Sequence, residues 1–208
     1  MSQISRTYAT TSVDEMKAIY DDWASSYDKE LAEATQDYVG PAVAALSVAR
    51  ALGSDRISNS IEILDAGCGT GLAGVELVKR GARKIDGVDL SPGMLRVAER
   101  TGAYRALEAV DLSGPLARQD NSYDVVVCVG TMTQGHVGPA AMDEFVRVTR
   151  PGGFVVATIL GSIWEPEGYE SQVKKLVADG RAAFVSAELE DYRRGAGVQA
   201  RMLVLQAL

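Results

Sequence analysis

The sequence predicts an α/β fold in which helices cover both faces of a doubly wound, mostly parallel sheet. Short apolar segments alternate with amphipathic ones between residues 61 and 160, as repeated strand–helix–strand units do. A glycine-rich stretch at residues 65–71 separates the first of these strands from its helix. Residues 123–129 are almost continuously apolar, which is typical of a central parallel strand buried on both faces.

Composition narrows the function classes. The chain has 208 residues, 47% of them hydrophobic and 24% charged, as in an ordinary globular domain. Its formal net charge of −7 argues against nucleic acid or an anionic membrane as partner, since both require basic patches. The two cysteines, Cys68 and Cys128, are too few for a disulfide scaffold or a structural zinc site. With no transmembrane-length apolar run and no signal-peptide core, the sequence predicts a soluble cytoplasmic protein.

The first forty residues are predicted to form a helical segment distinct from the alternating region. Ser12 and Glu15 fit a capping box before a helix whose apolar residues recur at helical spacing. A further helix is predicted at residues 41–52, because proline is favoured in the first helical turn. We therefore divide the chain into an N-terminal helical lid segment, residues 1–40, and a main domain, residues 41–208.

The remaining elements follow in order. Strands are predicted at residues 61–65, 84–88, 104–110, 123–129 and 154–159, and helices at residues 72–80, 92–100 and 139–149. After a helix at residues 167–178, two β-rich runs at 187–192 and 198–205 flank a glycine-containing turn. This arrangement predicts a hairpin at the sheet edge.

The glycine stretch is the strongest functional signal. Gly67, Gly69 and Gly71 permit a tight turn and let backbone N–H groups approach a ligand that a Cβ would exclude. Asp89 ends the next strand, where a carboxylate can accept hydrogen bonds from both hydroxyls of a ribose. These features predict a nucleoside-containing cofactor at the carboxyl ends of the strands. A glycine turn that serves only strand–helix packing is the structural alternative.

The sequence indicates the class of this cofactor less directly. Residues 69–74 match G-x-G-x-x-G, so a nicotinamide-dependent dehydrogenase is one alternative. However, the Asp65 carboxylate at the end of the first strand would repel a pyrophosphate, whereas it suits a ligand with an ammonium and a sulfonium group. The chain also lacks other support for a hydride-transfer site.

The segment ILDAGCGTG at residues 63–71 resembles the first motif of the class I S-adenosylmethionine-dependent methyltransferases. The resemblance continues through DLSPGML at 89–95, YDVVVC at 123–128 and RPGG at 150–153. Residues 23–28 (WASSYD) and 135–137 (GHV) are similar to the methyltransferase-like proteins of the Williams–Beuren region. The family resemblance implies a seven-stranded sheet of order 3-2-1-4-5-7-6 and S-adenosylmethionine as cofactor.

The resemblance also implies roles for individual residues. Asp89 would hold the ribose, Met94 would lie near the adenine, and Leu90 would also contact the cofactor. Asp111 would accept a hydrogen bond from the adenine amine, while the backbone N–H of Leu112 would donate to the ring. These five residues, with Asp65 and the loop glycines, make up the main predicted cofactor site.

Other candidates contact the cofactor from its edges. Cys68 in the glycine loop and Cys128 at the end of the fourth strand are expected to pack against it as small residues, not to act as nucleophiles. Tyr20 and Tyr27 are lid candidates whose aromatic faces would contact a sulfonium or an apolar acceptor. Trp23 is assigned to the core, because aromatic residues at helical spacing usually pack there. The neighbouring acidic residues, Asp21 and Asp28 among them, are interpreted as a solvated helix face.

His136 is the one histidine and follows the fourth predicted strand. The family resemblance implies that this loop faces the methyl donor. His136 could act as general base toward a phenol, thiol or ammonium, or it could simply bind backbone or solvent. No metal is required. The sequence therefore predicts methyl transfer to an O, N or S atom of a small organic molecule. A protein that binds S-adenosylmethionine without transferring the methyl group, or a cyclase, is the alternative, and a homodimer is compatible with the sequence.

Overall fold

The computed structural model describes residue 7 and residues 12–33, 35–133 and 137–208. Seven strands form one sheet in the order β3-β2-β1-β4-β5-β7-β6, which confirms the expected topology. The strands are β1 (Glu62–Ala66), β2 (Lys84–Asp89), β3 (Ala106–Ala109), β4 (Tyr123–Met132), β5 (Thr149–Leu160), β6 (Ala182–Arg193) and β7 (Val198–Ala207). Strand β7 runs antiparallel to both of its neighbours, and the other pairings are parallel.

Helices connect these strands and precede them. They are α1 (Val13–Trp23), α2 (Tyr27–Ala32), α3 (Gly40–Ala51), α4 (Leu72–Lys79), α5 (Pro92–Arg100), α6 (Ala141–Val148) and α7 (Tyr169–Ala178). The predicted start of α1 is confirmed, since the backbone N–H of Glu15 donates to Ser12 Oγ at 3.4 Å. Ser91 caps α5 in the same way, accepting from the backbone N–H of Met94 at 3.1 Å.

The core lies on both faces of the central strands. Val125 and Val127 of β4 pack in one cluster with α3 and α4, whereas Val126 and Cys128 pack in the other with α6. This division follows from the alternation of side chains along a strand. All four residues are fully buried, as the apolar sequence of this strand predicts.

Two strands begin earlier than predicted. Strand β5 starts at Thr149, which pairs with Tyr123 before an irregularity that includes Gly152 at φ +82° shifts the register. Strand β6 starts at Ala182, and its residues Phe184 and Val185 remain about half exposed, because β6 is an edge strand. The predicted hairpin at the sheet edge is present. Within the described ranges, no helix has both the length and the apolar character needed to cross a bilayer.

Candidate functional site

The site lies where the carboxyl ends of neighbouring parallel strands meet. Strand β1 is paired with β2 on one side and β4 on the other, so the loops that follow these three strands come together. In doubly wound sheets such a reversal of strand order opens a crevice for ligands. A cavity of about 1090 Å³, continuous with solvent, is found there.

The glycine loop after β1 has the backbone conformations that its sequence predicts. Gly67, Gly69 and Gly71 have φ values of +77°, +54° and +96°. A Cβ built on Gly67 would lie only 2.0 Å from the side-chain oxygen of Thr131, so this position requires glycine. A Cβ on Gly69 would meet no heavy atom within 4 Å, and both residues line the cavity. The loop therefore presents backbone to a ligand at close range.

Asp89 at the end of β2 also faces the cavity. Its Oδ2 accepts from the backbone N–H of Gly69 at 2.8 Å, and its Oδ1 accepts from that of Ser91 at 2.9 Å. Burial raises the pKa of Asp89, and these backbone hydrogen bonds oppose the increase. An ionised carboxylate has about four acceptor positions, so about two remain for a ligand. That capacity fits the two hydroxyls of a ribose.

The residues predicted to contact adenine, together with the cofactor-binding candidate Leu90, lie along the same cavity. Leu90, Met94, Asp111 and Leu112 line it, with Met94 and Leu112 almost fully buried. Asp111 is exposed at the rim, and its Oδ1 accepts from the backbone N–H of Ser113 at 2.8 Å. Apolar side chains with a carboxylate at one end fit a flat heterocycle that carries an amino group.

Three predicted cofactor-binding residues, Asp65, Gly71 and Cys128, are absent from the described cavity lining. Asp65 is fully buried behind the glycine loop, where its Oδ2 accepts from the Tyr104 hydroxyl at 2.7 Å and its Oδ1 has no partner among the described residues. Burial, reinforced by the nearby Asp89 charge, raises the pKa of Asp65 to about 7. Cys128 is fully buried within β4.

Tyr104 is the residue that sequence reasoning missed. Its ring lies against the start of α4, since a Cβ on Gly71 would be 3.0 Å from that ring and one on Gly74 would be 2.4 Å from its hydroxyl. Gly71 and Gly74 therefore leave room for the Tyr104 side chain. Residue 104 was predicted only as the start of a strand, and no sequence signal linked it to Asp65.

Aromatic residues of α1 and α2 form another wall of the cavity. Tyr20 and Tyr27 both line it, with ring centroids 6.4 Å apart. Trp23 packs beside them, its ring 4.6 Å from Tyr27 in an edge arrangement, and is only 3% exposed. Burial raises the pKa of Tyr27 well above its ordinary value, so its hydroxyl is neutral.

Two carboxylates connect these helices to the cofactor loops. Asp21 of α1 accepts from the Ser91 hydroxyl at 2.6 Å and from the backbone N–H of Gly93 at 2.7 Å. Asp28 of α2 accepts from the hydroxyl of Thr70, within the glycine loop. The interpretation of Asp21 and Asp28 as a solvated face is therefore wrong, because each is bound to a loop distant in sequence.

The end of β4 and the loop that follows it are described in part. Thr131 lines the cavity and donates to the carbonyl oxygen of Gly67 at 3.3 Å. His136, the predicted base, lies outside the described residues together with Gln134 and Gly135.

Comparison with known proteins supports the family that the motifs predict. Residues 63–153 match the sequence model of a methyltransferase domain. Human methyltransferase-like protein 27 is 39% identical over 140 residues, which cover 67% of this chain and 55% of that protein. The malonyl-[acyl-carrier protein] O-methyltransferase of Serratia marcescens is 37% identical over 147 residues, covering 68% and 52%. The chain thus spans about half the length of these curated relatives.

Solved structures share the fold. The Burkholderia thailandensis 1,6-didemethyltoxoflavin-N1-methyltransferase, solved with 1,6-didemethyltoxoflavin and S-adenosylhomocysteine, has a TM-score of 0.64 at 20% identity and covers 95% of this chain and 91% of its own. A TehB-like methyltransferase from Corynebacterium glutamicum has a TM-score of 0.61 at 22% identity, covering 92% and 99%. These structural likenesses show the fold. The methyltransferase-domain match over residues 63–153 and the 39% identity to the human relative show that the chain belongs to the class I S-adenosylmethionine-dependent methyltransferases.

Proposed function

We propose that this protein transfers a methyl group from S-adenosylmethionine to an O, N or S atom of a small organic molecule. One observation carries the proposal: a single cavity is lined both by the cofactor loops and by Tyr20 and Tyr27 of the N-terminal helices. When bound, S-adenosylmethionine supplies a methyl group that its sulfonium has already activated. The protein's main contribution is then to align the acceptor and to exclude water.

Each part of the site has a defined task in this proposal. Asp89 holds the ribose, and Asp111 with the Leu112 backbone holds the adenine. Tyr20 and Tyr27 present aromatic faces toward the cationic end of the cofactor, an arrangement that attracts cations. The N-terminal segment, residues 1–40, acts as the lid of the main domain.

The acceptor's heteroatom provides the electron pair for the new bond to the methyl carbon, and the sulfur keeps the pair of the broken carbon–sulfur bond. A neutral acceptor also releases a proton, for which we propose His136 as base. His136→Ala is then expected to reduce turnover about 10²–10⁴-fold while the affinity for cofactor stays constant. Near-normal turnover per folded molecule in this variant would remove the assigned role.

A small acceptor is supported by the chain's charge. The formal net charge of −7 disfavours nucleic acid as substrate. The bound compound of the Burkholderia enzyme is an example of a small molecule that this fold accommodates. The two cysteines are free and buried, which supports a cytoplasmic location.

Calorimetry against S-adenosylmethionine, S-adenosylhomocysteine and NAD tests the cofactor assignment. We expect the first two to bind and NAD to show no comparable affinity. An acceptor screen that measures release of S-adenosylhomocysteine then tests transfer. Preferential binding of NAD would favour the dehydrogenase alternative, and tight S-adenosylmethionine binding with no product from a broad screen would favour a binding protein.

A further inference from the structure

A second, smaller cavity of about 360 Å³ adjoins the cofactor cavity. Tyr20, Tyr27, Tyr38 and Gly130 line both spaces, so a molecule in the second would border a ligand in the first. The second cavity lies between the N-terminal helices and the end of β6. It is much smaller than the cofactor cavity, so it suits a compact compound with a single ring.

The described lining of this cavity is unusually aromatic. Five rings contribute, those of Tyr20, Trp23, Tyr27, Tyr38 and Tyr192. The Tyr38 and Tyr192 rings are 5.0 Å apart in an edge arrangement, and their hydroxyls are hydrogen-bonded at 3.3 Å. Such surroundings favour a flat aromatic ligand, which can stack on some rings and meet others edge-on.

Gly130 near the end of β4 allows this arrangement. It has a φ of +82°, and a Cβ there would lie 2.8 Å from the Tyr38 hydroxyl oxygen. Only glycine therefore lets that hydroxyl approach the strand end so closely. The aromatic rings that line the second cavity therefore extend to the boundary between the two cavities, where Tyr38 and Gly130 line both.

Trp23 supplies a polar group with no described function. Its side chain lines the second cavity and is 3% exposed, yet its indole N–H has no hydrogen-bond partner among the described residues. Buried tryptophan N–H groups usually find a partner, and an indole can only donate. The missing partner is therefore a hydrogen-bond acceptor.

The charge of the cavity lining indicates the nature of that acceptor. Arg193 is the one charged residue among the described lining residues, and no carboxylate is among them. The Arg193 guanidinium also donates to the Gln36 side chain at 3.3 Å. A positive group beside a mostly aromatic space favours a negatively charged oxygen over a cationic group.

We propose that the second cavity binds the methyl acceptor, a single-ring aromatic compound with a negatively charged oxygen that Trp23 recognises through its N–H. This oxygen anchors the ring, and a different heteroatom on the ring, directed toward the cofactor cavity, receives the methyl group. The assignment rests on the proposed function and adds its substrate class. Trp23, placed in the core on sequence grounds, becomes a specificity-determining residue.

The chain offers a direct probe, because it contains two tryptophans. Trp164 packs under the Arg201 guanidinium and is absent from the described lining of both cavities. Trp164→Phe thus leaves Trp23 as the single indole reporter. With S-adenosylhomocysteine present, 4-hydroxybenzoate should cause a saturable change in its fluorescence. The saturated analogue, 4-hydroxycyclohexanecarboxylate, should require at least about tenfold higher concentration, since it lacks the aromatic face.

Trp23→Phe keeps a ring and removes the N–H. Calorimetry should then show 4-hydroxybenzoate binding about tenfold more weakly, whereas Trp164→Phe should bind it as the unsubstituted protein does. Unchanged affinity in Trp23→Phe, or no fluorescence response in Trp164→Phe, overturns the inference. If Trp23→Phe does not fold, the fluorescence titration decides alone, because that experiment leaves Trp23 in place.

The two proposals fail separately. One outcome is release of S-adenosylhomocysteine with other acceptors while 4-hydroxybenzoate leaves the Trp23 fluorescence unchanged. That result would support methyl transfer and remove the assignment of an aromatic acid as the acceptor. A saturable Trp23 response without binding of S-adenosylmethionine would remove the methyl-transfer proposal and, with it, the identification of the aromatic compound as a methyl acceptor.

Discussion

The hydroxyl of Thr70 donates a hydrogen bond to the carboxylate of Asp28, with 2.5 Å between Oγ1 and Oδ1. Thr70 lies inside the glycine loop and is 1% exposed, whereas Asp28 is the second residue of α2, directly after Tyr27. Burial raises the pKa of Asp28, and the hydrogen bond from Thr70 opposes that increase. The contact therefore ties the helix that carries Tyr27 to the loop that faces the cofactor.

Thr70→Val should loosen this connection. The valine keeps the shape of the side chain but removes the donor, at a cost of about 1.5–3 kcal/mol for a hydrogen bond to a charged group. We expect faster hydrogen exchange in α2 and faster dissociation of S-adenosylmethionine. Thr149→Val is the matched control, because Thr149 is equally buried and its hydroxyl bonds instead to the Phe145 carbonyl, away from the site. Equal effects of both variants on dissociation would contradict the role of the contact.

Asp89→Ala should weaken binding of S-adenosylmethionine by about 1.5–3 kcal/mol, the scale of charged hydrogen bonds. The variant removes the acceptor for the ribose and releases the backbone N–H groups of Gly69 and Ser91. Calorimetry measures the loss. Asp86→Ala on the same strand is the control, since Asp86 pairs with Arg105 and is absent from the described lining of the cavity. A normal dissociation constant for Asp89→Ala would refute the ribose assignment.

Asp111→Asn should reduce discrimination between nucleosides. If the carboxylate accepts from the adenine amine, the unsubstituted protein should prefer S-adenosylhomocysteine over its inosine analogue, in which an oxygen replaces that amine. An asparagine amide can turn to present either its oxygen acceptor or its NH₂ donor. The preference for S-adenosylhomocysteine over the inosine analogue should therefore become smaller, with a modest loss of affinity. Competition binding with both compounds checks this. A preference that is the same in both proteins would place Asp111 away from the amine.

The strands and the positions of the cofactor loops could be predicted because local patterns determine them, whereas the order of the strands in the sheet was implied by the family resemblance. The apolar run of β4 and the glycines after β1 each predict the local structure of their own segment. The order of these segments along the chain then restricts the possible topologies. The start of β6 was missed because Phe184 and Val185 lie on an exposed edge strand, where apolar residues carry no regular burial pattern.

Contacts between distant segments could not be predicted in the same way. The Tyr104–Asp65 pair joins positions 39 residues apart, and the Asp21–Ser91 pair joins positions 70 residues apart. In a single sequence, an acidic residue on an amphipathic helix has the same signature whether it faces solvent or another loop. The unpaired N–H of Trp23 is likewise visible only once its surroundings are assembled.

Asp65 should make stability depend on pH. Its ordinary pKa of 3.8 rises to about 7 on folding, so the folded protein binds this proton more tightly than the unfolded chain does. The contribution of the protonated group is fully present below about pH 4 and is lost as pH rises toward 7, by at most about 1.4 kcal/mol per pH unit. The unfolding free energy, measured relative to Asp65→Asn, should therefore fall between pH 5 and 7 and then level off.

Urea unfolding at pH 5, 6, 7 and 8 measures this difference. Tyr104→Phe offers a second check, since the Tyr104 hydroxyl donates to Asp65 and lowers its pKa. Without that donor, the loss of stability should extend to higher pH. A difference between the unsubstituted protein and Asp65→Asn that does not vary with pH would show that Asp65 is ionised throughout the range.

Gly67→Ala and Gly53→Ala separate two reasons for a glycine. The two residues have nearly the same backbone conformation, with φ of +77° and +74°, so alanine is strained at both by about 1–3 kcal/mol. At Gly53 the new Cβ meets nothing within 4 Å, whereas at Gly67 it would lie 2.0 Å from Thr131 Oγ1. Displacing Thr131 from a packed strand end should add about 1–3 kcal/mol at Gly67 alone. Gly67→Ala should therefore lower the unfolding free energy by clearly more than Gly53→Ala, as urea denaturation can measure.

Gly67→Ala should also impair cofactor binding, because Thr131 and Gly67 both line the cavity. Equal destabilisation by the two substitutions would mean that the loop moves away from β4 at little cost, and that close packing of Gly67 on Thr131 does not fix the loop's position.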